Sequence, residues 1–167
     1  MTSSIPRSLL YAFGAALLLA VAQPTGASQL TDPPSAGKIL YYFTGVRTSD
    51  QVSTIVHCTN LDPKKDATLE LDYFQFNGSL FGSGSISIAS GVTRTVSVGT
   101  TSESNGGTAV FAEDLTVNVG TDLNQGTARV SADGTSKIIC TGQLIDRVNN
   151  PPTFAVELTH WLPNAKH

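Results

Sequence analysis

The stretch Ala67–Ile88, ATLELDYFQFNGSLFGSGSISI, decides the fold of this chain. Apolar and polar residues alternate on both sides of Asn77-Gly78, which is the period of a β-strand and not of a helix. Asn-Gly between two alternating runs is a strong signal for a β-hairpin with a two-residue type I′ turn. The sequence therefore predicts two antiparallel strands, Ala67–Phe76 and Ser79–Ile88, joined at this turn.

A type I′ turn fixes which residues of the two strands face each other. It places Phe74 opposite Phe81 and Asp72 opposite Ser83. One face of the hairpin is then apolar, and we expect it to belong to the core. Its members are Leu69, Leu71, Tyr73, Leu80, Ile86 and Ile88, with Gly82 and Gly84 beneath the larger side chains.

The opposite face is hydrophilic along most of its length and ends in aromatic rings. Its polar members are Thr68, Glu70, Asp72, Ser83, Ser85 and Ser87. Its aromatic members, at the hairpin tip, are Phe74, Phe76 and Phe81. Three apolar rings on one exposed face need a cover. Either a loop of the same chain lies over them, or they form a contact patch for a protein partner, a glycan or a second copy.

Cys58 and Cys140 are the only two cysteines. Strand alternation places Cys58 on the same face as Val56, and Cys140 on the same face as Ile138, so both thiols lie among apolar residues. We predict a disulfide, either between sheets or between neighbouring strands; two separate buried thiols are the alternative. Closing so long a loop stabilises a fold by about 4 kcal/mol in the chain-entropy model. Neither thiol has a Cys-x-x-Cys partner or a neighbouring base, so the disulfide is predicted to be structural.

Period-two alternation and turn dipeptides continue along the rest of the chain, without a convincing amphipathic helix. The predicted strands are Ile39–Arg47, Gln51–Thr59, Ala67–Phe76, Ser79–Ile88, Val92–Val98, Thr108–Ala112, Leu115–Val119, Thr127–Ala132, Ser136–Asp146 and Thr153–His160. Short strands at this spacing are typical of an all-β, antiparallel β-sandwich, and a closed barrel is the second interpretation. Arg94 stands in the apolar phase of its strand and is interpreted as a snorkelling or edge-strand arginine.

The beginning of the chain has the pattern of a cleaved secretory signal. Arg7 precedes the apolar run Leu9–Ala22, which is short for a membrane span, and small residues follow. Cleavage after Ala22 and cleavage after Ala27 both fit. The expected organisation is a signal peptide over 1–27, a flexible leader over 28–37, one β-sandwich domain over 38–163 and a disordered tail over 164–167. We expect a secreted or periplasmic product with no membrane span after signal cleavage, in a compartment where cysteines pair.

Charges are few and mixed along the chain. There are 10 lysines and arginines against 13 aspartates and glutamates, for a net charge of −3. Lys64-Lys65 is the only basic doublet. Nucleic-acid binding requires a clustered basic face, so the sequence argues against a nucleic-acid partner.

His57 and His160 are the natural candidates for a metal site. In regular strands His57 faces away from the core, whereas His160 continues the inward phase of Leu158. The two imidazoles then point to different sides of their sheets, and no third ligand has a suitable spacing. We predict neither a metal nor a cofactor.

Glu70 and Asp72 share one strand face, as acid pairs do in glycosidases. Nothing in the sequence assigns one of them as an acid and the other as a base, and such pairs usually mark a solvated strand surface. The stretch Gly82–Ser85 is not a G-x-S-x-G nucleophile elbow and lies inside a predicted strand. We therefore predict no catalytic residues.

In strand number, turn spacing and one long-range cysteine pair, the chain resembles immunoglobulin-like sandwiches. It departs from true immunoglobulin domains because no tryptophan follows Cys58 at the usual distance, and Ile138 stands where a tyrosine would precede Cys140. Between Tyr42 and Trp161, the segments TIVHCTN, YFQFNGSLFGSGSISI, GVTRTVSV and NQGTARVSADGTSKIICTGQLID are similar to those of small exported bacterial β-sandwich proteins of unassigned activity. The resemblance implies export and a β-sandwich, and it carries no catalytic motif.

These observations predict a secreted or periplasmic, non-catalytic β-sandwich that serves as a binding or envelope-associated module. The first candidates for its contact surface are Phe74, Phe76 and Phe81, and Tyr41 and Trp161 are the second. The alternatives are a secreted hydrolase using Glu70 or Asp72, and a self-associating structural coat subunit. The sequence leaves the ligand and the oligomeric state open.

Overall fold

A computed structural model describes residues 34–100 and 112–163, and in these ranges the regular elements are ten β-strands. They are β1 (Lys38–Thr48), β2 (Val52–Asn60), β3 (Ala67–Gln75), β4 (Leu80–Ile88), β5 (Thr93–Gly99), β6 (Leu115–Asn118), β7 (Leu123–Ala132), β8 (Ile138–Asp146), β9 (Ala155–Glu157) and β10 (His160–Trp161). The predicted signal peptide, leader residues 28–33, the tail over 164–167 and nearly all of the predicted strand Thr108–Ala112 lie outside the described residues. Within the described ranges, no helix is long and apolar enough to cross a bilayer.

The strands are hydrogen-bonded in the order β4-β3-β7-β1-β2-β5-β6. In addition, β8 pairs with β2, β9 with β8, and β10 with β1. All of these pairs are antiparallel except that of β5 with β6, so the predicted all-β and largely antiparallel fold is confirmed. β1 and β2 are joined by one residue pair, Thr48 with Ser53. The strands therefore fall into two groups: β4, β3, β7, β1 and β10 form one, and β9, β8, β2, β5 and β6 form the other.

The sheet is nearly closed and barrel-like, because the two groups of strands meet again at two places. Glycines make the first of these contacts possible. β4 packs against β6 without being hydrogen-bonded to it. A Cβ atom on Gly82 would lie 2.7 Å from Cγ1 of Val119, and one on Gly84 would lie 2.7 Å from Cγ2 of Val117. The two glycines therefore lie beneath the side chains of the β6 segment, which any larger residue would displace.

The second place where the two groups meet is the segment that runs from β9 to β10. β9 pairs with β8, and β10 pairs with β1, so the chain crosses here from one group of strands to the other. Leu158 donates its N–H to the Gly142 carbonyl at 2.8 Å, and Thr44 donates its N–H to the Thr159 carbonyl at 3.1 Å. These bonds tie the crossing segment to both groups.

The core lies between the two groups and is built from the inward phase of the strands. Leu69, Leu71, Tyr73 and Ile88 are fully buried, as the hairpin pattern predicts. Leu80 is 45% exposed, so its assignment to the core is wrong. The register of β3 against β4 shifts between Tyr73 and Phe74, and this shift places Leu80 opposite Phe74, on the outward side.

Cys58 and Cys140 form the predicted disulfide. They lie directly opposite each other on neighbouring strands β2 and β8, with Cα atoms 4.1 Å apart. Both are buried in the core cluster with Val56 and Ile138, which confirms the predicted apolar company. Of the two predicted arrangements, the bridge between neighbouring strands is the observed one, in contrast to the inter-sheet bridge of antibody domains. A disulfide is typical of a non-reducing compartment.

Arg94 reaches outward from β5, in agreement with a snorkelling arginine. Its Nη1 atom lies 2.6 Å from Oδ1 of Asp114, and its Nε donates to the Ser87 carbonyl at 3.2 Å. The side chain is half-buried and joins the end of β4 to the segment before β6.

Candidate functional site

The tip of the β3–β4 hairpin is a three-residue loop and not the predicted two-residue turn. The Gly78 N–H donates to the Gln75 carbonyl, and the Gln75 N–H donates to the Ser79 carbonyl, both at 2.9 Å. Gly78 has a φ of 81°, and no described non-glycine residue has a positive φ. A type I′ turn requires positive φ at both central residues, so this prediction is wrong for Asn77. Instead, Oδ1 of Asn77 accepts hydrogen bonds from the N–H and the hydroxyl of Ser79, at 3.0 and 2.7 Å.

A β-bulge next to Phe74 restores the predicted register away from the tip. Asp72 lies opposite Ser83, as predicted, but Phe74 lies opposite Leu80. Phe81 is therefore the additional residue of the bulge. Its side chain is half-buried and packs against the core, so its assignment to the hydrophilic face is wrong.

The structure separates the three phenylalanines of the predicted patch. Phe76 is 80% exposed at the centre of the tip, whereas Phe74 is 1% exposed and Phe81 is half-buried. Of the three rings, Phe76 alone projects into solvent. Whether this surface binds a partner stays a prediction.

A groove of about 300 Å³ opens beside Phe76. Thr44 of β1, Thr127 of β7 and Phe74 of β3 are paired across three neighbouring strands and therefore lie side by side on one face. These three residues line the groove together with Gly45, Gln75, Phe76, Gly78, Gln125 and Gly126.

Glycine is required at Gly126 because two backbones approach closely there. A Cβ atom on Gly126 would clash with the Phe74 carbonyl oxygen and lie 3.0 Å from Cδ2 of Leu123. On β1, Gly45 has a φ of 80° and lies at a register shift. The groove therefore forms beside the register shift of β1 against β7, whereas the pairing of β3 with β7 is regular there.

A buried ion pair lies beside the groove. Arg129 is opposite Asp72 on the neighbouring strand, and its Nη2 and Nε atoms lie 2.8 and 3.0 Å from Oδ2 of Asp72. The hydroxyl of Ser83 donates to Oδ1 of the same carboxylate at 2.7 Å. The Arg129 guanidinium also lies 5.1 Å from the centre of the Phe74 ring. These contacts hold the Phe74 side of the groove in place.

Glu70 and Asp72 do not form a solvated strand surface, and this prediction is wrong. Both are buried, and each carboxylate is paired with neighbouring groups. Asp72 is held by Arg129, while Glu70 accepts hydrogen bonds from the Ser35 hydroxyl and from the Ala36 N–H, the latter at 2.8 Å. The two predicted hydrolase carboxylates thus have structural partners, and Glu70 ties down the end of the leader.

The two strand histidines lie apart. His57 is half-buried, its Nδ1 lies 3.0 Å from the Thr95 hydroxyl, and burial lowers the pKa of its imidazole. His160 lies opposite the fully buried Phe43, on the predicted inward side of its strand, and its ring packs against Tyr41 and Phe43. The side chain is nevertheless exposed. Within residues 34–100 and 112–163, no group of three or more histidine, cysteine or acidic side chains is arranged to hold a metal ion.

Tyr41 and Trp161, the second candidates for a contact surface, differ in exposure. The Tyr41 hydroxyl donates to the Ile138 carbonyl at 3.0 Å, and the ring packs partly against the core. Trp161 is exposed and lies opposite Tyr42, on the face that also carries Arg129. Neither residue lines the groove at the hairpin tip.

Asp146 organises a loop that sequence reasoning missed. Its carboxylate accepts hydrogen bonds from the N–H and hydroxyl of Thr153, from the N–H and side-chain amide of Asn149, and from the Val148 N–H. The bonds from Thr153 and Asn149 hold the pKa of Asp146 well below its usual range. An aspartate before Asn-Asn-Pro-Pro was the available sequence signal, because aspartate side chains commonly bond to the backbone of a following turn.

The polar groove residues were also missed. Thr44, Gln75, Gln125 and Thr127 belong to no motif, and they come from three strands whose spatial order turn signals do not reveal. Comparisons of the chain with protein-family models, curated proteins and solved structures found no match.

Proposed function

We propose that this protein is a secreted or periplasmic, non-catalytic module that binds its ligand through the groove at the hairpin tip. The observation that carries the proposal is the position of Phe76. Its ring is 80% exposed on a loop held by backbone hydrogen bonds, beside a groove of about 300 Å³. Large aromatic side chains dominate binding energetics, and a preorganised loop loses little conformational entropy on binding.

A non-catalytic role is supported by the state of the two predicted hydrolase residues. Asp72 is neutralised by Arg129, and Glu70 is occupied by Ser35 and Ala36. A carboxylate held in this way is poorly placed to accept or deliver a proton during a reaction.

The proposed location and fold class have separate support. The signal-like pattern of residues 1–27 and the Cys58–Cys140 disulfide support export. An immunoglobulin-like sandwich is supported by two groups of strands that share one residue pair. The nearly closed, barrel-like sheet, the parallel β5–β6 pair and the position of the disulfide are departures from that outline.

Retention of ligand by immobilised protein tests the function. The mature protein, its Phe76→Ser variant and its Leu61→Ser variant are coupled to resin and exposed to the envelope fraction of the source organism. Leu61 is a matched control because it is 54% exposed and follows β2 near the end of β3 that is far from the hairpin tip. We expect Phe76→Ser to lose most of the retained material and Leu61→Ser to keep it. Equal retention by all three proteins would contradict the proposal.

Self-association through β9 is the second candidate function. All three residues of Ala155–Glu157 are exposed, and β9 pairs only with β8 among the described strands. Phe154 and Leu158 bond to β8, so by alternation the N–H groups of Ala155 and Glu157 point away from it. Such an edge can pair with a second copy. Light scattering should then show oligomers that Ala155→Pro dissolves, and a monomeric wild-type protein would exclude this candidate.

A further inference from the structure

The groove at the hairpin tip offers no charged side chain to a ligand. The residues that line it are glycines, two phenylalanines, two glutamines and two threonines. Arg129 lies on the same face two residues along β7 from Thr127, but it is buried and neutralised by Asp72. A phosphate, a carboxylate or a basic peptide would therefore find no opposite charge in the groove.

The polar groups of the groove suit hydroxyl groups on a ligand. Gln125, Thr44 and Thr127 each provide side-chain donors and acceptors. Gln75 follows Phe74 in β3, so by alternation its side chain belongs to the other face. Within the described part of the chain, the side chains of Gln125, Thr44 and Thr127 form no hydrogen bond with other residues. Thr44 and Gln125 are exposed, and Thr127 is half-buried. A sugar hydroxyl both donates and accepts, so it can use either kind of group.

Phe76 supplies the complementary apolar surface. A pyranose ring carries its hydroxyl groups around its rim and C–H groups on its faces, so it can lie flat on an aromatic ring while its rim is hydrogen-bonded. Phe76 has the exposure that such stacking needs. The groove volume of about 300 Å³ is at the lower end of the range of small-molecule sites, which suits a short stretch of a glycan.

We propose that the ligand of this groove is a neutral saccharide, stacked on Phe76 and hydrogen-bonded by the glutamine and threonine side chains. The inference rests on the proposed function and adds the chemical class of the ligand. A peptide anchored by a large apolar side chain is disfavoured, because Phe74 is 1% exposed and offers almost no apolar pocket.

Isothermal titration calorimetry of the mature protein with defined oligosaccharides tests this proposal. The probes are cellotetraose, maltotetraose and chitotetraose, which are neutral, and tetragalacturonic acid, which is charged. We expect at least one neutral probe to bind saturably and the charged probe not to bind. Phe76→Leu should weaken that binding at least about tenfold, or about 1.4 kcal/mol. Phe76→Tyr, which keeps an aromatic ring, and the control Leu61→Ser should bind as the wild type does.

Two results would overturn the inference: no binding of any neutral probe, or binding that Phe76→Leu leaves unchanged. The retention experiment distinguishes this failure from failure of the proposed function. If envelope material is retained through Phe76 but no neutral oligosaccharide binds, the proposed binding function stands and the saccharide is rejected as its ligand. If Phe76→Ser does not reduce retention, the proposed binding function of the groove is itself rejected.

Discussion

Arg129 and Asp72 face each other across β7 and β3, with Nη2 of the arginine 2.8 Å from Oδ2 of the aspartate and both side chains almost wholly buried. Removing one member of such a pair leaves the other charge buried without its counterion. Asp72→Asn should therefore lower the free energy of unfolding by about 3–5 kcal/mol, measured by urea denaturation. An Asp72→Asn protein as stable as the wild type would show that the pair is not buried in solution.

A control and a double variant separate the charge effect from loss of a hydrogen bond. Ser83→Ala removes only the hydroxyl that donates to Asp72, and should cost about 1 kcal/mol. Asp72→Leu combined with Arg129→Met replaces the pair by apolar side chains and should recover most of the stability lost in Asp72→Asn. The coupling between the two positions is then the measurable quantity.

The hydroxyl of Tyr73 is buried, and among the described residues it has no hydrogen-bond partner. Burial also raises the pKa of Tyr73, so the phenol is neutral at physiological pH. An unsatisfied buried hydroxyl costs free energy, and Tyr73→Phe should raise the free energy of unfolding by about 1 kcal/mol. Tyr41→Phe is the matched control, because the Tyr41 hydroxyl donates to the Ile138 carbonyl and its loss should destabilise by a similar amount. Destabilisation by Tyr73→Phe would reveal a partner for that hydroxyl.

The hairpin shows how far sequence reasoning extends. Alternation in Ala67–Ile88 was sufficient to pair Asp72 with Ser83 and to place Leu69 and Leu71 in the core, because a buried face fixes the register. Asn77-Gly78 favoured a two-residue turn, yet the loop has three residues and a bulge compensates for the difference. Alternation cannot locate such a bulge, since one extra residue reverses the faces only locally.

The burial of Glu70 and Asp72 could not be predicted from their own strand. Asp72 is buried because Arg129 lies beside it, and that contact depends on β7 pairing with β3. The two strands are far apart in sequence, and turn signals report only consecutive pairing. The cysteines could be predicted to pair from their number and apolar surroundings. Whether the disulfide joins neighbouring strands or facing sheets depends on the strand order, which turn signals do not give.

Gly82 is required by the approach of β6 to β4. A Cβ atom at this position would lie 2.7 Å from Cγ1 of Val119 and 3.3 Å from the Asn118 carbonyl oxygen. Gly82→Ala should therefore lower the free energy of unfolding by about 1–3 kcal/mol, as overpacking does elsewhere. Adding Val119→Ala should reduce that penalty, because it removes the methyl group that clashes. Ser85→Ala, on the exposed face of the same strand, should have little effect. An equal effect of both alanines would contradict the close packing of β6 on β4.

Asp146 should make stability depend on pH in the acid range. Its hydrogen bonds with Thr153 and Asn149 hold its pKa below the usual value, so folding favours the charged carboxylate. The resulting stabilisation is complete above the unfolded-state pKa of about 3.9 and is lost as the pH falls through the folded-state value. In Asp146→Asn this contribution is absent at every pH. The variant should therefore have a lower Tm than the wild type at pH 7.

The difference in Tm between wild type and Asp146→Asn should shrink as the pH is lowered from about 5 to about 2. The carboxylate of the unfolded wild-type chain is then protonated while the folded one stays charged, so the free energy that the folded state gains from the charged form is progressively lost. Thermal unfolding followed by circular dichroism across that range measures it. Asp122→Asn, which removes a carboxylate at an exposed turn before β7, is the control for the change in net charge. A difference that stays constant with pH would mean that Asp146 stabilises the loop by shape alone, since the neutral and charged forms would then be equally accommodated.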